Sequence, residues 1–208
     1  MENRKTIAFI FAHPDDEAIP FGLPAELAQK GHVVHLIALT DGSLGTHDHL
    51  TRRQMAKLRR KEFAHAAEIL GATPHIIGIP DGDVNPFSKK QKRKLLRTLR
   101  EVDPDIAVIH NHDDYHTDHV NGNTLTKWAL FHRPDGSFQT RRGLFHRVKP
   151  SEKPIAVYEA DTQGSQTWQS VTEDTGRHSD HLSKINMILE IGAKAIGKSI
   201  ESFAAHQS

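Results

Sequence analysis

The feature that most constrains this chain is an alternation. Short, continuous, β-branched-rich apolar runs recur at residues 6–12, 33–39, 75–79, 106–110 and 154–159. Being apolar at successive positions rather than at every second one, they read as strands buried on both faces. Segments with helical spacing lie between them. Thr51 and Gln54 fit a capping box ahead of Met55, Leu58, Ala66, Ile69 and Leu70, and Gly71 supplies the stop. Ser88 and Gln91 fit another, followed by Leu95, Leu96, Leu99 and Val102 before Pro104. A first helix, delayed by Pro20, Gly22 and Pro24, is expected from near Leu23 to Gly31. A last one is expected after Ser179, through Leu182, Ile185, Ile188, Leu189, Ile196, Ile200 and Phe203, weakened locally by Gly192 and Gly197.

Strand–helix alternation with short connections predicts an α/β fold. The expectation is a single Rossmann-like, doubly wound domain over residues 1–208, its mainly parallel sheet in the order 3-2-1-4-5 with helices on both faces. Residues 131–150 and 161–178 are the least regular and are predicted as loops.

Composition narrows the chemistry. The 208 residues contain no Cys, so disulfides, iron–sulfur clusters and thiolate zinc sites are excluded, and any transition metal must be held by His, Asp and Glu. No apolar run approaches the ~18 residues of a membrane span, and the first strand is too short for a secretory core. A cytoplasmic protein without a membrane partner is therefore expected. The formal net charge is only +1. The basic runs at 52–61 and 89–100 fall on helix-like segments and read as solvated faces, so no nucleic-acid partner is expected.

Two patches carry the chemistry. Ala12-His-Pro-Asp-Asp-Glu17 follows the first strand, and His110 to His119 follows the fourth. In a 3-2-1-4-5 sheet, strands one and four are neighbours and a crevice opens between their carboxyl ends. Residues about a hundred apart in sequence then face each other. His13 and Asp16 can reach one ion from a Pro-stiffened turn, and His119 can supply a third ligand, leaving an open position for a water. Asp15 would stand beside that water as a general base. His116, one helical turn from His119, would stabilise an oxyanion or protonate a leaving amine, with Asp118 orienting it.

Ala-His-Pro-Asp-Asp-Glu at 12–17 and His-Thr-Asp-His at 116–119 together resemble the PIG-L/LmbE-like family of zinc-dependent N-deacetylases. Thr40-Asp-Gly42, Arg59 with Glu62, Ile79-Pro-Asp-Gly82 and Ala205-His-Gln-Ser208 extend the resemblance over essentially the whole chain. It implies His13, Asp16 and His119 as zinc ligands, one ion per chain with other divalent metals such as Fe2+ as substitutes. It implies Asp15 as the base and His116 as the electrophilic or acid histidine. It places Arg59 and Asp81 at the sugar hydroxyls and His206 at the pocket. Thr117 stands where the family has Pro, and the family's closing motif reads His-x-Ser-Gln and continues, which leaves open a continuation past Ser208.

The implied reaction is hydrolysis of the N-acetyl group of an N-acetylglucosamine-type small-molecule substrate, releasing acetate and an amine. Family members commonly self-associate, so a homo-oligomer is also implied. Two other readings stand beside this one: a two-metal phosphoesterase, and a sugar-binding protein without catalysis. Arg133, Arg141, Arg142 and Arg147 read either as exposed loop cations or as partners for an anionic aglycone. His32, His35 and His75 read as structural, His47 and His49 as a solvated loop or the pocket mouth, and His110 and His112 as neighbours of the site. Asp113 and Asp114 read as loop polarity, and Asp41 and Asp83 as turn residues.

Overall fold

The computed structural model describes residues 4–45, 49–142, 146–160 and 191–206. The first four apolar runs form β1 (Thr6–Phe11), β2 (Val33–Thr40), β3 (Thr73–Ile79) and β4 (Ile106–His110). A small hairpin follows, β5 (Thr140–Arg142) with β6 (His146–Val148), and then β7 (Ala156–Ala160). The main sheet runs β3-β2-β1-β4-β7 with every pairing parallel. This is the expected order, the run at 154–159 supplying the fifth strand. The hairpin was not expected: residues 131–150 read as irregular, yet Thr140 pairs with Val148 and Arg141 with Arg147 in antiparallel register. Three residues a side give too short a pattern to register as alternation.

Strand pleating divides β1 between two cores. Ile7, Phe9 and Phe11 pack with Val34, Leu36 and Ala38 against α1 (Leu23–Gln29), α2 (Arg52–Leu70) and α5 (Ala193–Ala204), through Ala25, Phe63, Ala67, Leu70 and Ala195. Ala8 and Ile10 pack with Ile37 and Leu39 against α3 (Lys89–Val102) and α4 (Thr117–Phe131), through Leu95, Leu96, Leu99, Leu125 and Ala129. Burying each large apolar side chain stabilises the fold by roughly 1.5–3 kcal/mol, which is why central strands apolar at every position are tolerated only with helices on both sides.

The helix ends show their chemistry. At α2 the Thr51 side chain accepts the Gln54 N–H while the Gln54 side chain accepts the Thr51 N–H, completing the capping box, and Gly71 closes the helix at φ 73°. At α3 only half the expected box forms. Ser88 Oγ accepts the Gln91 N–H, but the Gln91 side chain turns away to the Asn85 N–H and the Asp83 carbonyl. The basic runs lie on α2 and α3, and two of their residues leave the solvated face: Arg59 turns into the cleft described below, and Arg100 turns inward. Arg100 is buried, and its guanidinium donates to the carbonyls of His132, Arg133, Asp135 and Phe138, tying α3 to the chain after α4. α5 starts beyond Gly192, which is its N-cap. The part of the last predicted helix before residue 191, and the predicted loop at 161–178, lie outside the described residues. Among the described residues no helix is long and apolar enough to cross a membrane.

Candidate metal and active site

Because β1 and β4 are paired, their carboxyl ends deliver the two patches to one place. After β1 the chain turns sharply: the Asp15 and Asp16 N–H groups both reach the His13 carbonyl, at 3.1 and 3.3 Å, before a 3-10 turn at Asp16–Ala18. The His13 N–H donates to Asp16 Oδ2 at 2.7 Å, folding that carboxylate back over the turn. After β4, His116 caps α4 from outside: its Nδ1 accepts the Asp118 N–H at 3.1 Å, a role Ser or Thr usually fills. This puts His119 in the first turn, facing His13.

Three donor atoms converge. His13 Nδ1 lies 3.3 Å from Asp16 Oδ2 and 3.2 Å from His119 Nε2, and His119 Nε2 lies 3.5 Å from Asp16 Oδ2. Four-coordinate zinc with bonds of about 2.0–2.1 Å has ligands roughly 3.3–3.4 Å apart, so the triangle has the size of one tetrahedral face. Other triads overlap it, namely His13–His116–His119, Asp16–His110–His119 and His13–Asp81–Asp118. Their added residues have other partners as well, although His116 keeps Nε2 open and Asp81 keeps Oδ1 facing His13. His110 Nε2 accepts the Ala12 N–H at 2.7 Å, and His116 Nδ1 accepts the Asp118 N–H. Asp118 accepts the Gly82 and Val84 N–H groups, and Asp81 the Leu44 N–H.

A surrounding set of groups holds these atoms. The other His13 nitrogen, Nε2, faces Asp81 Oδ1 at 3.3 Å and Asp118 Oδ2 at 3.4 Å. Asp114 Oδ2 stands 3.1 Å from His119 Nδ1, while its other oxygen accepts the His116 N–H at 2.9 Å. His110 stacks on His119 with ring centroids 3.9 Å apart. Carboxylates opposite the second nitrogen of a histidine fix its tautomer and orientation, as they do for metal-bound imidazoles.

The electrostatics follow. Burial would lower the His13 pKa, but Asp118, Asp16 and Asp81 together push it up to about 12. A pocket that holds a proton so tightly on an imidazole carries surplus negative charge, which a divalent cation would neutralise equally well. Burial would raise the Asp16 carboxyl, yet His110 and His13 hold it well below the ordinary range. The Asp15 carboxyl goes the other way, raised by burial and by the Asp16 charge, with Arg59 opposing. The His116 pKa is lowered, first by burial and then by His13 and His119. With Nδ1 already accepting, a neutral His116 carries its proton on Nε2 and is a donor there.

The predicted residues are mostly brought together, with specific departures. His13, Asp15, Asp16, Arg59, Asp81, His116 and His119 line one cleft of about 970 Å³. Asp118 does not turn its carboxylate to the His116 ring, because Gly82, Val84 and His13 occupy it. Arg59 points to Asp15 Oδ2 at 3.2 Å rather than standing free for a sugar. His206 is absent from the cleft wall among the described residues. Buried, it sits 2.6 Å from Glu17 Oε1, so that the end of α5 is pinned to the 3-10 turn.

His112 pairs at the surface with Glu159, and His35 pairs with His75 at 2.9 Å. His49 is exposed and His47 lies outside the described residues. Arg133 neither is exposed nor reaches the cleft, since it is buried against the Pro104 and Lys153 carbonyls. Asp114, read from the sequence as loop polarity, instead stands against the His119 ring and the His116 N–H, and its only signal is its place two residues before His116. Sequence reasoning passed over the part α5 plays in lining the cleft.

Fold and site together define an α/β protein with a His–Asp donor cluster at the switch point of a doubly wound sheet. Residues 8–130 match the family model "PIG-L: GlcNAc-PI de-N-acetylase", and the chain belongs to the PIG-L family. It is 32% identical over 108 residues to the diacetylchitobiose deacetylase of Thermococcus kodakarensis, covering 50% of this chain and 40% of that protein. It is 30% identical over 165 residues to the 1D-myo-inositol 2-acetamido-2-deoxy-alpha-D-glucopyranoside deacetylase of Kineococcus radiotolerans, covering 62% and 46%. These alignments span less than half the length of either relative. The solved N,N'-diacetylchitobiose deacetylase of Pyrococcus horikoshii superposes with a TM-score of 0.78 at 21% identity, over 99% of this chain and 71% of that one, which is a likeness of fold.

Proposed function

We propose that this protein hydrolyses the N-acetyl amide of an N-acetylglucosamine-type substrate, releasing acetate and a free amine. The observation that carries the reading is the triangle of His13 Nδ1, Asp16 Oδ2 and His119 Nε2, with Asp15 and His116 on the same cleft wall. Those three atoms would hold one divalent ion, and two imidazoles with one carboxylate suit zinc or iron better than magnesium or calcium. When bound, such an ion lowers the pKa of water and polarises a carbonyl.

The chain's own groups do the rest. Asp15, its carboxyl raised by burial and by the Asp16 charge, takes a proton from the attacking water as its oxygen bonds to the acetyl carbon. His116 Nε2–H donates to the carbonyl oxygen as negative charge builds there. The proton on Asp15 passes to the amide nitrogen, the C–N bond breaks, and the amine leaves neutral. Arg59 holds Asp15 in place through Oδ2 and leaves its other oxygen for the water. The phosphoesterase reading is less well supported. Its two ions would have to take the disjoint triads Asp16–His110–His119 and His13–Asp81–Asp118, which splits the close His13–Asp16–His119 face between them.

The test is acetate release from N-acetylglucosamine and N,N'-diacetylchitobiose by protein stripped with chelator and then reloaded with zinc. We expect loss on stripping and recovery at one ion per chain. Equal rates in stripped and reloaded protein would refute the metal assignment, and no acetate from either form would refute the reaction.

A further inference from the structure

The cleft does not end at its charged floor. Its outer wall is formed by Phe21 beyond the 3-10 turn, Leu44 beyond β2, and Ile196, Ile200 and Phe203 of α5. The three α5 residues are spaced by four and three, so they share one stripe. The adjacent face of that helix, with Ala195, Ser199 and Ser202, is buried. The stripe itself is surface, with Ile200 67% and Phe21 64% exposed.

The local backbone is built to hold this wall. Phe21 has φ 37°, in the left-handed region that costs a bulky residue free energy, and strain of this kind is kept where a side chain must be presented. Gly22 follows at φ 81°, and a Cβ there would stand 2.7 Å from the Ala195 carbonyl oxygen, so only glycine lets α5 come this close.

Among the described lining residues the outer wall carries no cation for an anionic aglycone to pair with. Arg59 is the one Arg or Lys in the described lining; it lies at the inner end with the histidines and is bonded to Asp15. Arg141 lies in a separate basic cleft with Lys89, Lys90 and Arg93, and Arg133 is buried. The inner end of the cleft offers carboxylates suited to sugar hydroxyls, and the outer end offers hydrocarbon. At about 970 Å³ the whole is at the upper end of the range for drug-sized ligands, well beyond one acetylated hexose.

We infer that the substrate is an N-acetylaminosugar bearing an apolar aryl or alkyl aglycone, which lies along Phe21, Leu44 and the Ile196–Ile200–Phe203 stripe. The inference rests on the deacetylase reading and goes beyond it by naming the aglycone class. Continuity of the stripe with the reacting end of the cleft favours this occupant over a protein partner.

The test compares acetate release from octyl, phenyl, methyl and carboxymethyl β-glycosides of N-acetylglucosamine by the zinc-loaded protein and by Ile200→Ser and Phe203→Ser. Calorimetry of octyl against methyl β-glucosaminide gives a readout independent of turnover, and sedimentation reports the oligomeric state. We expect kcat/KM for octyl to exceed that for methyl by at least about tenfold, the same order in binding, and a ratio falling towards one in both variants. A methyl or carboxymethyl glycoside turned over as well as octyl overturns the inference and leaves the deacetylase reading standing. So does an unchanged ratio in variants that instead dissociate an oligomer, since the stripe then belongs to a second copy. No acetate from any glycoside removes the parent reading and this inference together.

Discussion

Asp114 gives the sharpest test of how the site is held. Its carboxylate is fully buried and divides its two oxygens between the His119 ring, 3.1 Å from Nδ1, and the His116 N–H at 2.9 Å. A carboxylate can only accept, and its charge 3.1 Å away favours the His119 tautomer with the proton on Nδ1 and a bare Nε2 towards His13 and Asp16, although Nδ1 makes no well-aligned hydrogen bond. Asp114→Asn preserves shape and removes that charge. With the amide nitrogen towards His119, Nδ1 must accept, the proton moves to Nε2, and the donor atom is lost. With the amide flipped, the buried His116 N–H meets an NH2 group and loses its acceptor. Each arrangement costs one buried interaction, and loss of such an outer partner typically weakens metal binding about 10–100-fold, or roughly 1.4–2.8 kcal/mol. The assay is zinc competition against a chromophoric chelator, with circular dichroism to show the variant folded. A folded Asp114→Asn protein binding zinc as tightly as wild type would refute the argument that Asp114 fixes the His119 tautomer.

Other consequences are equally direct. Asp15→Asn should keep its metal by elemental analysis yet lose about 10²–10⁴-fold in turnover, and near wild-type acetate release would remove Asp15 as the base. His13→Ala should not retain zinc through desalting, so a full complement in that variant would take His13 out of the ligand set. Arg100→Met strands four carbonyls between α3 and the chain after α4, and should lower unfolding stability by about 3 kcal/mol in a urea titration; a change within experimental error would deny the cluster its structural role. The His35 pKa is lowered to about 4, by burial first and by His75 second. Unfolded chains therefore take up a proton that the folded protein refuses. Stability present above pH 6.5 should fall as pH drops through 6.5 towards 4, by about 1–2 kcal/mol once solvent screening of this half-buried group is discounted. His35→Gln should flatten that part of the pH profile, and an unaltered slope would assign the loss to other groups.

What could be read from the residues, and what could not, divides by the range over which each feature is determined. Strand order was legible because burial on both faces imposes continuous apolar runs such as Thr6–Phe11, and the handedness of parallel crossovers leaves few ways to arrange them. The convergence of His13, Asp16 and His119 was legible for the same reason, since the sheet order carries β1 and β4 side by side. The partners of these residues were not. Nothing local tells the Asp118 carboxylate to turn from the nearby His116 ring towards His13 and the distant Gly82 and Val84 amides. That choice depends on where the loop after β3 comes to rest. His206 likewise reaches Glu17 because α5 returns across the sheet, a contact spanning nearly the whole chain. A sequence states which chemistry is present and on which elements, whereas the hydrogen bonds that assign each carboxylate its task are settled by tertiary approach. That is why the site's reacting groups are easier to name than the residues that hold them, and why Asp114, silent as a motif, is the more informative residue to change.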